Sequence, residues 1–219
     1  MNAQSSLNNF YQLNESAFQN AIEKHTSFNL NGPLLASPSI YFDQKTKLMV
    51  VGQETYGWSQ SSNTQDQLDA YVDFNVGQSY NASPFWNFAR KLEDTFDIES
   101  FSVAWSNLNR FDQNEGSPTD PDVIKTIESF DFILKKEIEL LKPDVLVLFT
   151  NHKYDSRIEG LYEGVRFEGI PGLKENHFMK LVHPELPAIT IRAPHPKTIR
   201  MQKWEEDFFS YMDGISKQV

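Results

Sequence analysis

Residues 121–150 read PDVIKTIESFDFILKKEIELLKPDVLVLFT, and the pattern changes period part-way along. Up to Leu141 the apolar residues Val123, Ile124, Ile127, Phe130, Leu134, Ile138 and Leu141 recur at steps of three and four, the spacing of one helix face. Pro121 stands where helices begin, and Pro143 cannot continue one. Residues 144–150, DVLVLFT, then form a short, almost continuous apolar run. A strand with no polar face is buried on both sides, as in parallel sheets covered by helices. These thirty residues predict a helix over 121–141 feeding a central strand over 144–150.

The same alternation extends in both directions. Strands are predicted over 47–52 (KLMVVG), 100–106 running up to Asn107, and 186–193 (LPAITIRA). Helices are predicted over 6–24, 83–96 and 203–212, the second opened by Ser83-Pro84. Residues 157–182 carry glycines at 160, 164, 169 and 172 and read as a short hairpin or an irregular excursion. Residues 59–67 and 112–121 are dense in turn formers and read as loops inside one domain. The pattern implies one α/β domain over 1–219, a three-layer α/β/α sandwich with a mostly parallel central sheet. Residues 1–46 form a helical lead-in, 47–200 the core and 201–219 a C-terminal helix.

Composition narrows the partners. The 219 residues include 20 Lys and Arg against 30 Asp and Glu, a formal charge of −10. Such a surface repels polyanions on average, so nucleic-acid contact requires a local basic patch. With no cysteine there are no disulfides, thiolate metal sites or cysteine nucleophile. The apolar runs fall far short of the ~20 residues that span a bilayer. The N-terminus lacks a basic-then-apolar signal pattern. A cytoplasmic protein with no membrane partner is expected. His177 and His183 have no third ligand at metal spacing, so neither metal nor cofactor is expected. His25, inside a helical stretch, reads as a surface residue.

In parallel sheets ligands sit beyond the carboxyl ends of the strands. The first strand ends in Gly52-Gln53-Glu54-Thr55-Tyr56-Gly57-Trp58, the second in Asn107-Leu108-Asn109-Arg110, the third in Thr150-Asn151-His152 and the last in Pro194-His195-Pro196-Lys197. Each has an ordinary use: a surface turn with an exposed Glu, a turn or capping Asn, a loop His. Together they bring a carboxylate, an amide and an imidazole to one sheet edge, the pattern of a binding or catalytic site.

This ordered set resembles the uracil-DNA glycosylase superfamily, over about residues 47–200. Residues 52–58 are similar to that family's G-Q-D-P-Y-H-G motif. Phe74 and Ser83-Pro84-Phe85 are similar to its base-stacking Phe and Pro-rich loop, Asn107 to its strand-end Asn, and His195-Pro196-Lys197 to its H-P-S motif. The resemblance implies the family's fold and hydrolysis of the N-glycosidic bond of uracil or another deaminated base in DNA. Glu54 and His195 then take the catalytic positions, the carboxylate facing positive charge at the sugar and the imidazole donating to the leaving base. Gln53, Tyr56, Phe74 and Asn107 take the base-binding positions, with Phe74 stacking, Asn107 reading the base edge and Tyr56 excluding a 5-methyl group. Lys197, Ile199 and Arg200 take the DNA-contacting positions, with Lys203 adding to a local basic patch. The chain departs from the pattern at Glu54 in place of Asp, Thr55 in place of Pro and Lys197 in place of Ser. A carboxylate displaced by about 1 Å can cost 10²-fold in rate. Two other functions share the fold: a non-catalytic nucleobase, nucleotide or small-ligand binder, and a hydrolase of another substrate with Glu54 as base.

Overall fold

In a computed structural model, which describes residues 2–218, the run 145–148 lies inside a six-stranded sheet flanked by helices. In chain order the elements are α1 (Ala3–Lys24), β1 (Leu30–Asn31), β2 (Leu48–Gly52), α2 (Thr64–Phe74), α3 (Pro84–Thr95), β3 (Ala104–Asn107), β4 (Asp112–Gln113), α4 (Pro121–Glu128), α5 (Asp131–Leu141), β5 (Val145–Leu148), α6 (Asp155–Leu161), β6 (Arg166–Gly169), β7 (Met179–Val182), β8 (Ile189–Arg192), α7 (Pro196–Met201) and α8 (Glu205–Ser216). The large sheet has the order β3-β2-β5-β8-β7-β6. Its first four strands are parallel, and β7 and β6 close one edge as an antiparallel hairpin. β1 and β4 pair separately as a two-stranded antiparallel ribbon.

Successive strand residues point to opposite faces, and both faces are filled. Met49, Val51, Leu146 and Leu148 pack with Leu7 and Tyr11 of α1 and with Ile133 and Leu134 of α5. Leu48, Val50, Val145, Val147 and Ile191 pack with Phe88 of α3 and Phe208 of α8. No helix among the described residues is long and apolar enough to cross a membrane.

One ion pair joins the first of these layers to the sheet edge. Arg110 and Glu137 have no exposed side-chain surface. The guanidinium donates to both carboxylate oxygens, at 2.9 and 2.7 Å. The Tyr11 and Ser106 hydroxyls each donate to Glu137 at 2.7 Å, and Arg110 also donates to the Leu34 carbonyl at 3.1 Å. α1, α5, the end of β3 and the segment around Leu34 therefore meet at one buried carboxylate.

The structure alters several boundaries. The helix expected over 121–141 is two helices, because the Phe130 amide bonds to the Ile127 carbonyl and leaves the α-helical ladder. The Phe130 ring packs on Phe18 and Phe111 at 5.4 and 5.6 Å, so the apolar period runs unbroken across the kink. The loop expected over 59–67 gives way to α2 at Thr64. Asn63 caps that helix, and the Glu15 carboxylate accepts the Thr64 amide at 2.8 Å. Its buried face includes the polar Thr64 and Gln67, which hid it from an apolar count. Within the loop expected over 112–121, Asp112–Gln113 forms β4. The segment 157–182 contains a hairpin, β6–β7. α7 lies where no helix was expected, and α8 runs past the expected 212 to Ser216. His25 is buried, its Nε2 2.8 Å from the Thr126 hydroxyl.

Replacing Glu137 with Leu strands the buried Arg110 charge. Urea unfolding is expected to show a loss of about 3–5 kcal/mol, as for other half-broken buried pairs. A loss below about 1 kcal/mol, the scale of an exposed pair, would contradict this role.

Candidate active site

The four parallel strands deliver Gly52, Asn107, the segment after Leu148 and the segment after Arg192 to one edge of the sheet. Gly52 pairs with Asn107 across β2 and β3, and a Cβ at position 52 would run into the Asn107 side-chain oxygen. A glycine here lets that amide lie across the strand end.

The loop after Gly52 is held from below by a carboxylate that the sequence pattern did not single out. Asp112 is fully buried. One of its oxygens accepts from the Thr55 hydroxyl at 2.7 Å and from the Gly57 and Trp58 amides at 3.0 and 3.1 Å. The other accepts from the Asn31 side-chain amide at 2.5 Å and the Glu115 amide at 3.0 Å. The β1–β4 ribbon thus fastens residues 55–58.

These loops enclose a cavity of about 780 Å³, lined by Gln53, Glu54, Tyr56, Phe74, Asn107 and His195 among others. Both expected catalytic residues and all four expected base-binding residues therefore share one cavity. Its volume falls within the ordinary range of ligand pockets.

Glu54 is half-buried, and other side chains hold its carboxylate. Asn109 donates to Oε2 at 3.0 Å, the Tyr154 hydroxyl approaches the same oxygen at 3.5 Å, and the Ser117 hydroxyl donates to Oε1. Asn109 is held in turn. Arg157 donates to its Oδ1 at 2.6 Å, which leaves Nδ2 facing Glu54. Arg157 also pairs with Asp131, with its Nε 2.8 Å from the carboxylate. Burial raises the Asp131 pKa, and the adjoining guanidinium opposes that shift. A chain of paired groups from α5 and α6 thus fixes the direction of the Glu54 carboxylate.

Asn107 is 1% exposed. Its Oδ1 accepts from the Trp105 indole at 3.2 Å, and its Nδ2 has no partner among the described residues. A buried donor without a partner costs free energy unless a ligand or water accepts from it. On the other side of the sheet centre, the His195 Nδ1 accepts the Lys197 amide at 3.2 Å, so a neutral ring carries its proton on Nε2. Burial lowers its pKa, and the charges of Lys197 and Lys153 push it the same way. Phe85 stacks beside it, with centroids 6.2 Å apart and planes 27° apart.

Phe74 sits in a knot of rings, 5.2 Å from Trp105, 5.3 Å from Trp86, 5.4 Å from Trp58 and 5.1 Å from Tyr80. Trp86 serves both the core and the cavity wall. Tyr56 lines the cavity and is 83% exposed. The three expected DNA contacts are not all available. Lys197 is exposed, but Ile199 is fully buried against the α3–α8 layer. Arg200 pairs with Glu205 at 3.0 Å and lies over the Phe88 ring. Ile199, expected at a DNA-contacting position, is a core residue because it faces inward from α7.

No protein-family model matches this sequence, and no curated protein matches it.

Asp112→Asn keeps the side-chain shape but replaces one accepting oxygen with a donor. A loss of about 1–3 kcal/mol is expected, with faster amide exchange at residues 57 and 58. Unchanged exchange there would remove Asp112 as the anchor. For His195, the lowered folded pKa means that the unfolded chain takes up the proton first as pH falls. The stability of the neutral ring is therefore lost as pH drops below the unfolded value of about 6.5. His195→Gln is expected to shrink the fall in Tm between pH 7 and 5.5, and an unaltered profile would contradict that.

Proposed function

We propose that this cavity binds a nucleobase and that the protein hydrolyses its N-glycosidic bond, on a uracil-DNA glycosylase-like fold. The observation that carries this is the joint lining of one aromatic cavity by Glu54, Asn107 and His195. Each suits one demand of the chemistry. As the bond between base and sugar breaks, positive charge grows on the sugar ring and negative charge on the base. A carboxylate fixed by Asn109, Tyr154 and Ser117 needs little reorganisation to face the first charge. A neutral imidazole with its proton on Nε2 is a donor for the second. The unpartnered Asn107 Nδ2 is a donor for a ring carbonyl, and Phe74 offers a ring for the base to stack on. Uracil or another deaminated base in a single strand is the first substrate to try.

A second reading, binding without excision, is favoured by the loop after β8. Ile199 is buried and Arg200 is engaged with Glu205, so this loop has less to grip DNA with than the sequence suggested.

The test is an excision assay on a single-stranded uracil oligonucleotide. Abasic sites are expected with the wild type and a loss of at least about 10²-fold in both Glu54→Ala and His195→Ala. Wild-type protein without activity at high concentration, or activity unaffected by both changes, would reject the catalytic reading.

A further inference from the structure

The cavity carries an electrostatic feature that excision of a neutral base does not require. Trp58, Phe74, Tyr80, Phe85, Trp86 and Trp105 all line it. Their rings are fixed by one another, with Trp86 and Trp105 perpendicular at 4.9 Å and Phe74 tilted on Trp105 at 5.2 Å. Trp105 is further pinned because its backbone amide donates to the Tyr71 hydroxyl at 2.8 Å.

The charged side chains lining this aromatic wall are Glu54 and Asp73, and no Lys or Arg is among the lining residues. Lys153 and Lys197 act on His195 from outside the lining. Aromatic faces carry negative electrostatic potential, and carboxylates beside them add to it. The chain as a whole, at −10, does not offset that field. Two polar groups in the cavity have the opposite sense: the His195 Nε2–H, and the Asn107 Nδ2, a buried donor without a partner among the described residues, which calls for a carbonyl. The cavity, at about 780 Å³, has room for a ring larger than uracil.

We infer that the cavity selects a planar, positively charged heteroaromatic base bearing a ring carbonyl, the class to which purine nucleosides alkylated at a second imidazole nitrogen, such as 7-methylguanosine, belong. The carbonyl accepts from Asn107, and the ring charge lies in the field of the aromatic wall, Glu54 and Asp73. Neutral uracil satisfies the donor and, in its ground state, brings no ring charge into that field. The inference rests on the cavity being a base pocket, but binding alone tests it.

The experiment is calorimetric titration of the full chain near pH 6 with 7-methylguanosine, guanosine and uridine. At this pH the methylated ring is cationic and the other two are neutral. Binding of 7-methylguanosine at least about tenfold tighter than guanosine is expected, the scale of a desolvated cation–aromatic contact. Asp73 is exposed on α2, so Asp73→Asn is expected to fold normally and to reduce that preference about threefold or more. Guanosine or uridine binding as tightly, no saturation by 7-methylguanosine at millimolar concentration, or a preference untouched in a folded Asp73→Asn would each overturn the inference. Uracil excision without preference for the charged nucleoside rejects this inference and keeps the glycosylase. A cation preference without excision of any base keeps the inference and rejects the glycosylase.

Discussion

The buried pair of Arg110 and Glu137 is the constraint on which the candidate site depends. Two charges without exposed surface are tolerated only when they pair closely and further hydrogen bonds support them. Here the support comes from four separate pieces of chain: α1 through Tyr11, the β3 end through Ser106 and Arg110, α5 through Glu137, and the Leu34 carbonyl, while the Arg110 Nε has no partner among the described residues. No piece can shift without exposing a charge to an apolar core. Arg110 lies three residues past Asn107 and two before Asp112, so the pair fixes the segment that carries both.

From that fixed segment the site is assembled by hydrogen bonds more than by packing. Asp112 holds the loop after β2 through three donors from residues 55–58. Asn109, set by Arg157 and Asp131, aims at Glu54. The Trp105 indole sets the Asn107 amide, and the Lys197 amide sets the His195 tautomer. Groups held this way need little reorganisation when charge appears beside them, the property from which electrostatic catalysis draws most of its effect. The same order suits tight binding, since little side-chain freedom remains to be lost.

The sheet and the edge it presents were legible in sequence because both leave local signatures. Val145–Leu148 and Leu48–Gly52 are apolar on both faces, and a parallel sheet puts their ends together. The supports were hidden for physical reasons. Asp112, Asn109 and Arg157 look like turn and surface residues, since their value lies in long-range partners 26 to 81 positions away. α2 was hidden because Thr64 and Gln67 are buried by hydrogen bonding and packing on a largely polar sequence. Ile199 was misplaced because neighbours on a six-residue helix give no period from which to tell its inner face from its outer one.

In the proposed function, a base and its sugar sit where the aromatic wall meets the carboxylates. A crystal structure of Glu54→Gln soaked with a single-stranded trinucleotide, its central base uracil or 7-methylguanine, tests that claim most directly. A base inside the cavity is expected, its carbonyl about 3 Å from the Asn107 Nδ2, with the anomeric carbon beside residue 54. A base bound elsewhere, or seated with its sugar turned away from residue 54, would contradict it.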